Sequence, residues 1–148
     1  MNRNISILLV VLAVVGVAVW WQFGAPQPVE DAGNAAQKAD LIRLAAPQPN
    51  ATVTSPLTLT GEARGYWYFE ASFPVFLVDW DGRIIAQGIA TAKSEWMTEN
   101  FVPFEAKLEF VVDPQVYSNR GALILQKDNP SGLPEYDDAL EIPVIIAL

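Results

Sequence analysis

From Leu57 to Arg64 the chain alternates, with Leu57, Leu59, Gly61 and Ala63 apolar or small and Thr58, Thr60, Glu62 and Arg64 polar. A period of two sends successive side chains to opposite faces, so this stretch predicts a half-buried strand with its odd positions inward. Glu105 to Phe110 repeats the pattern with even positions inward, and Leu140, Ile142, Val144, Ile146 and Leu148 form a third stripe. Phe73 to Trp80 is apolar on both faces and predicts a central strand, with Pro74 near its start or at an unpaired position. Asp81-Gly82 then supplies a strong hairpin turn leading into Arg83 to Ala92. With Leu41 to Leu44 and Ala122 to Lys127, about seven strands are expected. Short strands at this spacing predict an all-β fold, a two-sheet β-sandwich of immunoglobulin type over residues 41–148.

The N-terminal end has a different pattern. Ile5 to Trp21 carries no charge, follows Arg3, and ends in Trp20 and Trp21, which with Phe23 stand as interfacial aromatics. Residues 1–23 therefore predict one transmembrane helix as an uncleaved anchor, with the N-terminus cytoplasmic and the remainder extracytoplasmic. The rival is a cleaved signal segment, against which stand the length of the run and the bulky Trp-Trp pair where small residues should precede cleavage. Residues 24–40, rich in Pro, Gly and Ala, read as a flexible linker with a reach of about 20–25 Å. A short helix around Asn34 to Arg43 is the competing reading there.

Composition narrows the chemistry. Asp and Glu outnumber Lys and Arg by 17 to 9, a net charge of -8 that disfavours nucleic acid. The chain has no His and no Cys, which removes imidazole and thiolate metal sites, His-assisted nucleophiles and disulfides. Carboxylates remain, but none of their pairs is marked by spacing as an acid–base couple. We therefore expect no enzyme, no catalytic residue, no cofactor and no resident metal.

Three constellations merit attention as surfaces. The segment Lys127 to Asp138 joins two strands through two prolines, a glycine and several acids, far longer than a hairpin needs. Asn129, Glu135, Asp137 and Asp138 mark it as a folded-back cap, a contact for protein or glycan, or, with Asp128 and Glu141, a calcium site. The aromatic run Gly65 to Phe73, with Trp96, offers Trp67 and Tyr68 as the aromatics expected to stand exposed beside Glu70, against the competing role of filling the core. Asp79 and Asp81 project from one side of a strand, although the Asp-Gly turn accounts for Asp81 without a metal.

Three blocks carry a more specific likeness: Phe69-Glu70-Ala71, Trp96 with Phe101-Val102-Pro103-Phe104, and Asn129 to Glu135. In these the chain resembles Gmad2, an immunoglobulin-like domain of bacterial spore germination proteins. The resemblance implies a cell-envelope location and a binding or structural role. The expected function is thus a membrane-tethered extracytoplasmic module that contacts an envelope protein or cell-wall component through Trp67, Tyr68, Glu70, Trp96, Asn129, Glu135, Asp137 and Asp138. The alternatives are a structural or assembly subunit and, more remotely, a carboxylate-based glycan hydrolase.

Overall fold

A computed structural model describes residues 32–148. The segment expected to span the membrane lies outside these residues; among the described ones, no helix is long and apolar enough to cross a bilayer. After a single helical turn, α1 (Ala35–Lys38), the chain forms β1 (Ile42–Ala46), β2 (Thr52–Val53), β3 (Leu57–Arg64), β4 (Ser72–Asp79), β5 (Ile84–Ala92), β6 (Phe101–Leu108), β7 (Arg120–Gln126) and β8 (Ala139–Ile146). Short 3-10 turns occupy Gly65–Trp67 and Pro134–Tyr136.

The alternation places the strands as expected. Leu57, Leu59 and Ala63 on β3, Val102, Phe104, Ala106 and Leu108 on β6, and Leu140, Ile142, Val144 and Ile146 on β8 are buried in one core. Leu148 does not continue the last stripe; it lies beyond β8 and is exposed. Pro74 precedes Val75, the first β4 residue paired with β7, so its missing N–H falls where that ladder has not begun.

The expected two-sheet sandwich of about seven strands needs correction. The eight strands form one curled sheet in the order β1-β3-β6-β5-β4-β7-β8-β2. The link is narrow: only Thr91 with Glu105 and Ala92 with Phe104 join β5 to β6, so the sheet folds over on itself there and encloses a single core, as a sandwich would. The extra strand, β2, is two residues long, too short for alternation to reveal. The chain leaves β1 through a cis Ala46–Pro47 peptide, and β2 then runs parallel to β8. The first strand is thereby divided between the two edges of the sheet.

That division, together with Asn34, covers the β8 edge. The Asn34 side chain donates to the Ala139 carbonyl at 2.9 Å and accepts from the Glu141 N–H at 2.8 Å, while its own N–H reaches the Glu141 carbonyl at 3.3 Å. Further along, the Asn50 N–H donates to the Pro143 carbonyl and the Ile145 N–H to the Ala51 carbonyl. Between them sits Pro143, which has no N–H to satisfy. An exposed strand edge invites pairing with another chain, and this one is closed by borrowed partners. The folded unit consequently begins before residue 41: the stretch from Gly33 to Asp40, assigned by sequence to the linker, lies against β8 and the end of β3.

Two arginines fix the junction of this segment with β1. Arg43 and Arg64 each hold their guanidinium 4.1 Å from the Phe101 ring centroid, and their Nε atoms donate to the Ala39 and Asp40 carbonyls. The cation–π geometry and the hydrogen bonds act together on one turn.

Replacing Asn34 by Ala removes both side-chain bonds and leaves the Ala139 carbonyl and Glu141 N–H to water. We expect a loss of about 1–2 kcal/mol in chemical denaturation, with concentration-dependent association visible by light scattering as the edge opens.

Candidate functional site

Every residue singled out from sequence as a contact lies at one end of the domain, where the β3–β4, β5–β6 and β7–β8 connections meet. These three loops are bonded to one another. The Asp128 N–H donates to the Trp67 carbonyl, the Gly65 N–H to Asn100, and the Arg64 guanidinium to the Glu99 carbonyl. Gly65 is required by proximity: a Cβ there would lie 1.8 Å from the Thr98 carbonyl oxygen and 2.3 Å from that of Trp96.

Trp67 and Tyr68, expected to be exposed, are instead 0% and 4% accessible. Strand alternation does not govern them, because Trp67 ends the 3-10 turn Gly65–Trp67 and Tyr68 caps it, and both enter the core in succession while Tyr66 within the turn stays exposed. Tyr68 packs edge-on to Phe73 at 5.1 Å, and Phe73 in turn to Phe104 at 5.0 Å. The Tyr68 hydroxyl donates to the Val102 carbonyl at 2.6 Å. Burial pushes its phenol well above the ordinary tyrosine value. The Trp67 indole N–H is buried without a hydrogen-bond acceptor, so this residue serves by filling volume. Trp96 is half-buried against the same core.

Exposure passes to the neighbours: Tyr66 and Phe69 from the first loop, Met97 from the second, Leu133 and Tyr136 from the third. Phe69 and Ser72 exchange both backbone hydrogen bonds, at 3.0 and 3.1 Å, around a two-residue turn in which Glu70 and Ala71 have φ of 49° and 63°. Tight turns of this kind are usually made by Asn-Gly, so Glu70 is held outward on a strained backbone. No alternation rule could have selected these tips, since the loops are irregular. The Gly before Tyr66 and the Glu-Ala after Phe69 are the only local signals of a change in direction.

The long β7–β8 loop is a self-bonded cap. Asn129 Nδ2 donates to the Leu133 carbonyl at 2.9 Å and to Asp137 Oδ1 at 2.7 Å, and Ser131 Oγ donates to Asn129 Oδ1 at 2.5 Å. Asp138 pairs with Lys38 and accepts from the Ala139 N–H, while Glu135 stands exposed on the 3-10 turn. Asp137 and Asp138 are thus drawn to separate partners, and no group of three carboxylates among the described residues could hold a metal ion. Asp79 is likewise committed, accepting from the Asp81 and Arg83 N–H groups at 2.9 Å each, and Asp81 pairs with Arg83.

Two outcomes follow from this geometry. Asn129→Ala should lower the melting temperature by several degrees, about 1 kcal/mol, whereas Glu135→Ala and added calcium should each leave it unchanged. For Tyr68, the folded state keeps its proton where the unfolded phenol, with its pKa of about 10, loses it. The unfolded chain then binds fewer protons, so this residue's contribution is intact below pH 10 and declines as pH rises above it. Urea titrations across that range should show the decline in wild type and a shallower one in Tyr68→Phe.

A second concave region lies at the opposite end, on the outer face of β4, β7 and β8. It encloses about 550 Å³ beside Trp80 and Tyr117, whose rings are 5.2 Å apart and tilted by 51°. In the sequence Trp80 marks only the end of the expected central strand, and Tyr117 lies in the irregular segment between β6 and β7 that carries no periodic pattern.

Comparison with known proteins adds a single finding. No curated protein and no solved structure matches the chain. The profile of Gmad2, described as an immunoglobulin-like domain of bacterial spore germination, matches residues 41–132, from the approach to β1 to the glycine of the Asn129 to Glu135 block. With more than half of its residues in that match, the chain belongs to the Gmad2 family.

Proposed function

We propose that this protein is a non-catalytic interaction module of the bacterial cell envelope, tethered to the membrane by its N-terminal apolar segment, and that it holds an envelope protein at its three-loop end. One observation carries the reading: Tyr66, Phe69, Met97, Leu133 and Tyr136 are all exposed on loops whose backbones are fixed to each other. Large apolar side chains gathered on one surface mark a contact site, and aromatics and Met are the residue types enriched in such contacts. Pre-ordering the loops lowers the entropy lost on binding. Glu70, Glu95, Glu135 and Asp137 supply an acidic rim, which favours a partner with a basic border around an apolar centre.

Membership of a family described by spore germination supports an extracytoplasmic setting. The alternative of an assembly subunit that polymerises through a strand edge finds less support, because the β8 edge is covered along most of its length by Asn34 and the β2 segment.

The test is capture of envelope proteins from detergent-solubilised envelope by the immobilised full-length chain. Phe69→Ser with Tyr136→Ser should reduce the amount of a captured envelope protein at least about tenfold, the equivalent of 1.4 kcal/mol, while leaving the melting temperature within a degree or so of wild type. Equal capture by the variant and wild type would refute the assignment to this end.

A further inference from the structure

The two halves of the curled sheet present unlike outer surfaces. On β3 and β6 the positions that alternate with the core include Thr58, Thr60, Glu62, Pro103, Glu105 and Lys107, the largely polar exterior that a half-buried sheet requires. On β4, β5, β7 and β8 the corresponding positions are mostly apolar. The register aligns Ile84, Val78, Ala122 and Pro143 in one row across the four strands, and sets Phe76 beside Ile124 in the next. Strand β4 is therefore central, as its two apolar faces predict, yet only one of those faces meets the core. On the other, Phe76, Val78, Ala122, Ile124 and Pro143 are half-buried and Ile84 is 59% accessible, so the rows are open to water. A contiguous apolar face on the solvent side of a sheet marks a contact surface.

Charge selects the occupant. The chain carries a net charge of -8, so two copies repel one another unless they meet where that charge is absent. The three-loop end, with Glu70, Glu95, Glu135 and Asp137, fails this condition. The outer face of β4 and β7 meets it, because the formal charges at its margins, Glu141 on β8 and Arg120 at the start of β7, are one of each sign. Shape agrees. A two-fold contact uses one patch twice, so the patch must carry both a projection and a hollow that receives it. Trp80 and Tyr117, 48% and 88% accessible, stand at one end of the face, and the concave region of about 550 Å³ beside them is floored by Val78, Ala122 and Pro143.

Area sets the strength. Four strands about 4.8 Å apart and about 26 Å long make a face of roughly 500 Å². Pairing two copies then buries about 1,000 Å², the lower limit for a specific interface, so the contact is reversible. We infer that the protein forms a two-fold dimer with a second copy of this chain, the outer faces of β4 and β7 packed together and each Trp80–Tyr117 pair seated in the other copy's hollow. This is independent of the three-loop reading, since neither Phe69 nor Tyr136 is on the face.

The absence of cysteine lets the interface be read directly. Ala122→Cys, within the apolar face, and Thr60→Cys, on the polar face of β3, are made separately in the full-length chain. Each is treated in a zwitterionic detergent with a bis-maleimide spanning about 10 Å, the separation of packed sheets. We expect cross-linked dimer from Ala122→Cys and none from Thr60→Cys. Sedimentation velocity of the wild type should show a monomer–dimer equilibrium between about 1 and 100 µM, as a contact of this area implies. Ile84→Glu and Ile124→Glu, each placing like charges on both copies, should weaken association at least about tenfold. Ile84 is the more exposed of the two, so Ile84→Glu should keep the melting temperature within a degree or so of wild type. A monomer at every concentration, association unchanged in both glutamate variants, or equal cross-linking at positions 60 and 122 would overturn the proposal. So would shielding of the Ala122→Cys thiol from a water-soluble maleimide by phosphatidylcholine vesicles and not by protein concentration, which assigns the face to lipid.

Discussion

The structure depends on closing a sheet over itself without a covalent link. There is no cysteine, and only two residue pairs connect β5 to β6, so the halves of the curl are held face to face by what lies between them. The central contact is the run Tyr68, Phe73, Phe104, with ring centroids about 5 Å apart and edge-to-face geometry at each step. Phe73 belongs to β4 in one half and Phe104 to β6 in the other, so this packing spans the fold. Tyr68 ends the run with its hydroxyl bonded to Val102, tying a loop to a strand of the opposite half. Close packing of aromatics in an interior as dense as a crystal takes the role that a disulfide has in many domains of this type.

That requirement shapes the three-loop end. Tyr68 and Trp67 are drawn into the core to complete the packing, and the 3-10 turn that places them there pushes Tyr66 and Phe69 outward on either side. The strained Glu70-Ala71 turn follows from reversing the chain directly behind a buried tyrosine so that Phe73 can start its strand. Packing and display are in this sense one event. The polar groups of the β7–β8 loop are arranged on the same principle: Asn129, Ser131 and Asp137 consume one another's hydrogen bonds, which keeps the loop in shape and leaves its apolar tips to face solvent.

The two ends differ in chemistry. The three-loop end combines apolar tips with an acidic rim, while the groove at the other end combines aromatic faces with groups of both charges. Each surface is built on backbone that the sheet already fixes, so neither depends on the other to form.

The periodic part of the fold was legible in the sequence. Alternation located β3, β8 and the C-terminal part of β6 and assigned their inward faces, Leu148 excepted, because burying one face of a strand fixes every second residue as apolar; β4 was marked by an apolar run, β5 by the turn before it, and β1 and β7 only as short apolar stretches. The Asp81-Gly82 turn was equally readable, and so was the folded-back cap at Asn129 to Asp138, which the chain marks with prolines and acids. The tertiary structure alone decided what has no period: the two-residue β2, the narrow β5–β6 join that makes one sheet of two, the Asn34 clasp on β8, and the pairing of Trp80 with Tyr117 from segments distant in sequence. It also reversed the expected exposure of Trp67 and Tyr68, because a side chain's direction in an irregular turn is set by the backbone dihedrals of that turn and by the cavity the other strands leave, neither of which local sequence records.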